Sequence, residues 1–196
     1  METMSSPETI FEAKQPVRPL KRVEYDRLVR DGFFEDERVE LLLGLVVPMS
    51  PTDPAHSEST YQVVEAIRKA IGARARVREQ TQFAASDISE PQSDVMVTPN
   101  GPFWDDHASR AFLVVEVARS SLRKDKGPKA VIYGSANVDE YWIVNHIDEV
   151  VEVYRDRHDG EWRQRTTHQR GETIAMLAFP DVQIAVSEIL PPVDSR

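Results

Sequence analysis

The sequence contains no cysteine, which excludes disulfide bonds and thiolate metal sites. It also has no apolar run near the roughly 18 residues that a membrane helix needs. The N-terminus has no basic start followed by an apolar stretch, so no secretory signal is predicted. From these absences we expect a cytoplasmic protein without a membrane partner.

Positive charge is also scarce, because the formal net charge is -9. This balance argues against a protein that coats nucleic acid by bulk charge, although it allows a local basic cleft. A glycine-rich phosphate loop is missing as well, which disfavours a hydrolase of small phosphate esters. What the chain does have is enough length and apolar content for a core, with 196 residues of which 40% are hydrophobic.

The pattern along the chain predicts a flexible, polar arm over residues 1–20 and a single domain over residues 21–196. Helices are predicted over residues 21–30, from a cap at Asp53 to about Ile71, and from Gly127 to about Ser135. A hairpin is predicted within residues 38–48, where Gly44 indicates a turn between two short strands or a bulge. Strands are predicted over residues 76–83, 93–97, 112–118, 140–144, 149–154, 162–167 and 182–186. This order favours an α/β fold with a mixed β-sheet flanked by helices, preceded by a helix and a hairpin.

One carboxylate lies in the most apolar run of the chain. Glu116 falls within residues 112–118, whose apolar residues on both faces predict a central, covered strand. An ionised glutamate there is costly unless it is paired, hydrogen-bonded or bound to a cation. We therefore interpret Glu116 as a functional residue rather than a strand-end acid that reaches solvent.

A second acid and a lysine on nearby elements extend this interpretation. Asp94 lies on the preceding short strand and converges with Glu116 if the two strands are neighbours. Lys129 shares a helical face with Ile132 and Tyr133, so it points inward and needs a negative partner. Oxygen ligands without thiolates favour Mg²⁺ or Mn²⁺. The three residues together predict a metal-dependent hydrolytic site.

The chain resembles the Uma2-like (DUF820) family of endonucleases, a branch of the PD-(D/E)XK nuclease superfamily. The resemblance covers about residues 23–191 and rests on an ordered set of short pieces. These pieces are residues 38–44, 49–51, His56, 94–97, 113–117, Asp125, 129–133 and 138–144.

This resemblance implies a restriction-endonuclease-like fold and Mg²⁺-dependent hydrolysis of phosphodiester bonds. It implies that Glu40, Asp94 and Glu116 are metal-site carboxylates, and that Lys129 orients water or stabilises charge on the phosphate. His56, Arg119 and Asp125 are further candidates for supporting the site or contacting substrate. For His56 a plain packing role stays open, and Glu40 could equally be an exposed strand residue.

The predicted partner is nucleic acid, in particular DNA, and a homodimer is expected because duplex cleavage is often carried out by two-fold pairs. The basic run that contains Arg119, Lys124 and Lys129 flanks the predicted site, where a phosphate backbone would lie. The alternative is a catalytically inactive relative that keeps the fold as a nucleic-acid or protein binding module. Metal binding separates the two hypotheses.

Overall fold

The fold is described from a computed structural model, which covers residues 17–192. Residues 1–16 of the predicted arm lie outside this described part of the chain. Within residues 17–192 the first helix is α1 (Arg22–Arg30), at the predicted place.

A hairpin follows, formed by β1 (Val39–Leu42) and β2 (Leu45–Pro48). Its two turn residues, Leu43 and Gly44, have φ of +52° and +80°, as a two-residue hairpin turn of type I′ requires. A side chain at position 44 would also collide with Pro19. The predicted turn at Gly44 is therefore confirmed, and its reason is both backbone conformation and close approach.

Helix α2 (Pro54–Ile71) begins and ends where its sequence signals predict. The carboxylate of Asp53 accepts a hydrogen bond of 2.8 Å from the backbone N–H of His56, and Pro54 occupies the first turn. Gly72 follows with φ of +57° and ends the helix. These caps fix the position of His56 at the start of α2.

Six strands form the main sheet, in the order β3-β4-β5-β6-β7-β8. Their bounds are β3 (Arg76–Gln82), β4 (Gln92–Thr98), β5 (Leu113–Ala118), β6 (Tyr141–Asn145), β7 (Val150–His158) and β8 (Glu161–His168). Strands β5 and β6 are parallel, and all other neighbours in this sheet are antiparallel. The mixed α/β fold predicted from the sequence is confirmed.

The connection between β5 and β6 corrects one prediction. Helical structure begins at Leu122 rather than at Gly127, with α3 (Leu122–Lys124), a π-helical segment (Asp125–Lys129) and α4 (Ala130–Ser135) in succession. Gly127 has φ of -100° and ψ of -108°, and Pro128 lacks an N–H group, so the Gly-Pro pair kinks a continuing helix instead of starting one. The kink lies directly before Lys129.

After the main sheet, β9 (Thr173–Ala175) and β10 (Gln183–Ala185) form a short antiparallel pair. The short helix α5 (Val186–Ile189) follows it. The sequence did not predict β9, and its last predicted strand is shorter than expected because Val186 begins α5. Within residues 17–192, no helix is long and apolar enough to cross a membrane.

The sheet separates two buried clusters. On one face, Val95 and Val115 belong to a cluster that includes Val63, Val64 and Ile67 of α2. On the other face, apolar side chains of the same strands pack with α4; this cluster includes Met96, Val114, Ala130, Tyr133 and Tyr141. All six residues of β5 are buried, so Glu116 lies in a central, doubly covered strand as predicted.

Candidate active site

Two carboxylates face each other across β4 and β5. The antiparallel pairing aligns Val95 with Val115, and one further step in the same register aligns Asp94 with Glu116. The backbone N–H of Val117 also donates a hydrogen bond of 2.8 Å to Oδ2 of Asp94. Since directly opposed residues point to the same face of a sheet, both carboxylates lie on the face covered by α4.

Glu116 is 3% exposed and is held by two donors. The ammonium of Lys129 lies 2.9 Å from its Oε1, and the hydroxyl of Tyr133 donates to the same oxygen at 2.8 Å. Burial raises the pKa of Glu116 well above its usual range, Lys129 opposes this shift, and Asp94 and Asp125 add to it. A second cation beside this carboxylate would therefore stabilise its ionised form.

Lys129 is also 3% exposed and connects three groups. Besides Glu116, its ammonium donates to the main-chain oxygen of Gln92 at 2.7 Å and lies 3.4 Å from Oε2 of Glu40. Burial lowers the pKa of Lys129, but the carboxylates of Glu116 and Glu40 outweigh burial and raise it overall. Lys129 is thus a fixed positive charge inside the protein.

Glu40 reaches the same cluster from the hairpin. It is fully buried, its Oε1 accepts from Lys124 at 2.6 Å, and its Oε2 accepts from the backbone N–H of Gln92 at 3.2 Å. Glu40 therefore joins β1 to β4 and holds the ammonium groups of Lys124 and Lys129 near one another. A buried acid with these partners is well compensated.

His56 and Asp94 form a further pair. His56 Nε2 lies 3.1 Å from Oδ1 of Asp94, and this hydrogen bond raises the pKa of His56. Burial favours a raised pKa for Asp94, but the contact with His56 outweighs it and lowers the pKa overall. The contact therefore favours an ionised Asp94 carboxylate and a protonated His56 imidazole.

Asp125 carries the least satisfied carboxylate of this region. The residue is 1% exposed, and neither of its carboxylate oxygens has a hydrogen-bond partner in the described part of the chain. Burial raises the pKa of Asp125 to about 6, and Lys129 opposes the shift, as does the Ser121 hydroxyl, whose contact with the carboxylate falls short of hydrogen-bond geometry. Two orphaned buried oxygens need an explanation, and a bound cation is one.

The donor set is compatible with a hard divalent cation. No three His, Cys, Asp or Glu side chains of residues 17–192 converge as a complete metal cage. Mg²⁺ does not need such a cage, because it usually keeps several waters and binds through one or two carboxylates. Three carboxylates line this pocket of about 50 Å³, namely Asp94, Glu116 and Asp125, together with His56 and the basic residues Arg38, Lys124 and Lys129. The fit to a cation therefore rests on the carboxylate oxygens, above all those of Asp125, and not on an excess of negative charge.

Comparison with known proteins assigns the sequence to a family. A sequence model of the Uma2 family, described as "Putative restriction endonuclease", matches residues 22–187. The chain belongs to the Uma2 family. The resemblance predicted from short sequence pieces is therefore confirmed. None of the proteins with curated functions matches the chain in sequence.

A solved structure supports the Uma2 fold. It is described as a "putative nuclease belonging to DUF820" from Anabaena variabilis ATCC 29413, and it aligns with a TM-score of 0.70. The alignment covers 87% of this chain and 97% of the other chain, at 14% sequence identity. At this identity the likeness establishes the shared nuclease fold and leaves the chemistry to be argued from the residues of this Uma2 protein.

The structure brings most of the predicted site residues of this Uma2 chain together. His56, Asp94, Glu116, Asp125 and Lys129 line one small pocket, and Glu40 contacts its lysines from behind. Arg119 does not line this pocket; its side chain is 62% exposed and pairs with Asp53 at 3.4 Å, at the start of α2. Arg119 therefore lies outside the pocket, on the surface.

Sequence reasoning missed three partners in the Uma2 site. Tyr133 hydrogen-bonds Glu116, Lys124 hydrogen-bonds Glu40, and Gln92 contributes both its backbone groups to the cluster. Tyr133 could have been found, because it lies four residues after Lys129 on the same helical face. The link from Lys124 to Glu40 spans 84 positions, and no local pattern reports such a contact.

Proposed function

We propose that this Uma2 protein is a metal-dependent endonuclease that hydrolyses phosphodiester bonds of DNA. The observation that carries the proposal is the pair Asp94 and Glu116, opposed on neighbouring strands and joined by Lys129 in one pocket. The family description supports a nuclease, and its reference to restriction supports DNA as the substrate.

Asp94 and Glu116 would hold Mg²⁺ or Mn²⁺, with Asp125 as a further oxygen donor beside them. When bound, the ion supplies polarisation of the phosphate and a lower pKa for a water molecule. Lys129 contributes a positive charge whose position is fixed by Glu116 and by the Gln92 carbonyl. A preorganised charge of this kind stabilises the negative charge that develops on a phosphate during hydrolysis.

The predicted role of Glu40 as a metal ligand stays a prediction. Its contacts favour a positioning role, because its two oxygens receive Lys124 and the Gln92 N–H and lie near Lys129. In this role Glu40 keeps both lysines aimed at the pocket.

Lys124 and Arg119 are suited to contact the phosphate backbone. The Lys124 side chain is 21% exposed and lines the pocket, whereas Arg119, which directly follows β5, is 62% exposed. These local positive charges would attract phosphate groups, although the net charge of -9 makes the protein as a whole repel DNA. The homodimer and the cytoplasmic location stay predictions.

The test is nicking of supercoiled plasmid in Mg²⁺, Mn²⁺ or EDTA. We expect metal-dependent nicking by the wild type that falls to background in Asp94→Asn and in Glu116→Gln, which remove charge with little change of shape. Glu161→Gln is the matched control, since Glu161 is an exposed carboxylate on β8, at the far edge of the sheet. Equal nicking by wild type and Glu116→Gln would contradict the proposal.

One observation favours the alternative of a non-catalytic binding module. Oε1 of Glu116 already accepts hydrogen bonds from Lys129 and Tyr133, so this oxygen is engaged by the protein itself. The alternative predicts plasmid binding without nicking in either metal, and an affinity that does not depend on Asp94 or Glu116.

A further inference from the structure

Two arginines on the edge strand β3 have no carboxylate partner. Arg76 and Arg78 lie two residues apart, so both point to the same face of the sheet, and Arg78 pairs with Met96 on the face that also carries Asp94. None of the ion pairs among residues 17–192 includes either arginine. Burial lowers the pKa of Arg78 and the charge of Arg76 lowers it further, so an anion would stabilise this pair.

The same arginines stack on an aromatic ring. The guanidinium carbon of Arg78 lies 4.5 Å from the centre of the Phe103 ring, and that of Arg76 lies 5.9 Å from it. Phe103 is followed by Trp104, whose side chain is 92% exposed. We call Arg76, Arg78, Phe103 and Trp104 the arginine–aromatic surface.

The exposure of Trp104 needs a reason. A single exposed apolar residue is ordinary, but an exposed tryptophan next to a second aromatic ring and two arginines has the composition of a binding hot spot. The other two tryptophans do not share this exposure, because Trp142 is fully buried and Trp162 is partly buried against the cluster around Tyr141. Trp104 is thus the aromatic side chain available for stacking at this place.

A cleft next to the active-site pocket is lined by the two aromatic residues of the arginine–aromatic surface. Phe103 and Trp104 line this cleft of about 520 Å³. Three residues line both the cleft and the active-site pocket, namely Arg38, Met49 and Gln92. The cleft and the active-site pocket are therefore neighbours that share one wall.

We propose that the arginine–aromatic surface binds an unpaired nucleic-acid strand next to the cleavage site, with one base stacked on Trp104 and its phosphates near Arg76 and Arg78. This inference rests on the proposed nuclease function and names its substrate class as nucleic acid with a single-stranded segment. Exposed aromatic rings combined with arginines form the general platform for single strands, since every base offers a face for stacking.

The acidic residues of the cleft favour an unpaired strand over a duplex. Asp26, Glu90 and Asp106 all contact the guanidinium of Arg22, at 3.7, 3.5 and 2.7 Å. Their negative charge discourages the two closely spaced backbones of a duplex but not an uncharged base.

The test is quenching of tryptophan fluorescence by a 20-nucleotide thymine oligomer in EDTA, where metal-dependent cleavage does not occur. We expect quenching by the oligomer and little by a 20-base-pair duplex. Trp104→Ala should lose the quenching and bind the labelled oligomer about tenfold more weakly. Arg76→Gln with Arg78→Gln should reduce the slope of log affinity against log salt by about 1.4, the value for two phosphate contacts on a single strand.

The opposite edge of the sheet offers a matched control. Arg163 and Arg165 lie two residues apart on edge strand β8, and Arg165 stacks on Tyr154 at 4.4 Å. Replacing both by Gln removes the same charge from a similar setting and should leave oligomer binding unchanged. An equal loss in the two double variants would overturn the proposal, as would unchanged binding in Trp104→Ala.

The outcomes also separate this inference from the proposed function. Oligomer binding through Trp104 in a protein that does not nick DNA would support the binding surface and contradict the nuclease. Nicking by a protein that shows no quenching with any oligomer would support the nuclease and overturn the binding surface, leaving a protein partner to explain the exposure of Trp104.

Discussion

The two faces of β4 and β5 use the same strands for different purposes. On one face, Val95 and Val115 pack with α2 in a cluster of apolar side chains. On the other face, one residue away along each strand, Asp94 and Glu116 share a pocket with Lys129. The first face supplies stability through burial of apolar surface, and the second spends some of that stability on buried charge.

The difference between the two faces explains why the fold tolerates a buried carboxylate at Glu116. Its neighbours Val115 and Val117 belong to the apolar cluster and fix the strand, so the carboxylate cannot move to solvent. Its compensation comes from Lys129 and Tyr133 instead. Two kinds of substitution test this difference between the faces. One removes a partner of Glu116 on the polar face, and the other removes an apolar contact on the opposite face.

The largest effect is expected from Lys129→Met. This change leaves Glu116 buried without its cation and takes one of two lysines from Glu40, so it should reduce the free energy of unfolding by about 3–5 kcal/mol. Nicking should also be lost. Urea denaturation measures the stability, with Lys69→Met on the exposed side of α2 as the control. A cost below about 1 kcal/mol would mean that the pair does not compensate buried charge.

Ile67→Ala tests the apolar face. Ile67 is fully buried in the cluster on α2, and its truncation should reduce the free energy of unfolding by about 3 kcal/mol. Because Ile67 lies about three helical turns from His56, the site residue that α2 carries, nicking per folded molecule should stay at the wild-type level. A selective loss of nicking in a folded Ile67→Ala protein would show that the two faces are not separable.

Asp125→Asn tests the orphaned carboxylate. Because the folded-state pKa of Asp125 is raised to about 6, the native protein holds this proton more tightly than the unfolded chain does. This group therefore contributes stability at about pH 4 that is lost as the pH rises through 6. The variant should gain about 2 kcal/mol over wild type across this window, measured by urea denaturation.

The exposed variant Asp36→Asn is the control for this pH dependence. A flat difference between Asp125→Asn and wild type from pH 4 to pH 7 would contradict the account of the buried carboxylate. Saturating Mg²⁺ should reduce the gain at pH 7, because a cation near Asp125 stabilises the ionised form.

The smallest effect on stability is expected from Lys124→Gln. Glu40 is fully buried but keeps Lys129 and the Gln92 N–H as partners, so the loss should be about 1 kcal/mol. Nicking should fall because the pocket loses a proposed phosphate contact. Lys126→Gln is a close control, since Lys126 forms an ion pair of the same length, 2.6 Å, with Glu152 and does not line the pocket. Equal nicking by the two variants would contradict a role for Lys124 in binding the phosphate.

The sequence predicts the local features of this fold well. The cap at Asp53, the stop at Gly72 and the turn at Gly44 each depend on a few neighbouring residues, and all three are confirmed. The start at Leu122 was missed because Gly127 and Pro128 usually mark a helix boundary, whereas here a π-helical segment carries the helix through them. Strand β9 was missed because three residues are too few to show a period.

The site is only partly readable from sequence. Glu116 stands out as a charge inside an apolar run, and the inward face of Lys129 follows from helical spacing. The contacts of Glu40 cannot be predicted from local sequence patterns, because Lys124 and Gln92 lie 84 and 52 positions away from it along the chain. The orphaned oxygens of Asp125 depend on the packing of the kinked helix, which the sequence did not predict.

The measurement that tests the central claim most directly is calorimetric titration of Mg²⁺ and Mn²⁺ into wild type and into the double variant Asp94→Asn with Glu116→Gln. We predict binding of a divalent ion to the wild type, with release of protons as the buried carboxylates ionise, and no binding to the folded double variant. Equal binding to both proteins, or no binding to the wild type, would contradict the claim that the polar face of β4 and β5 is a metal-dependent active site.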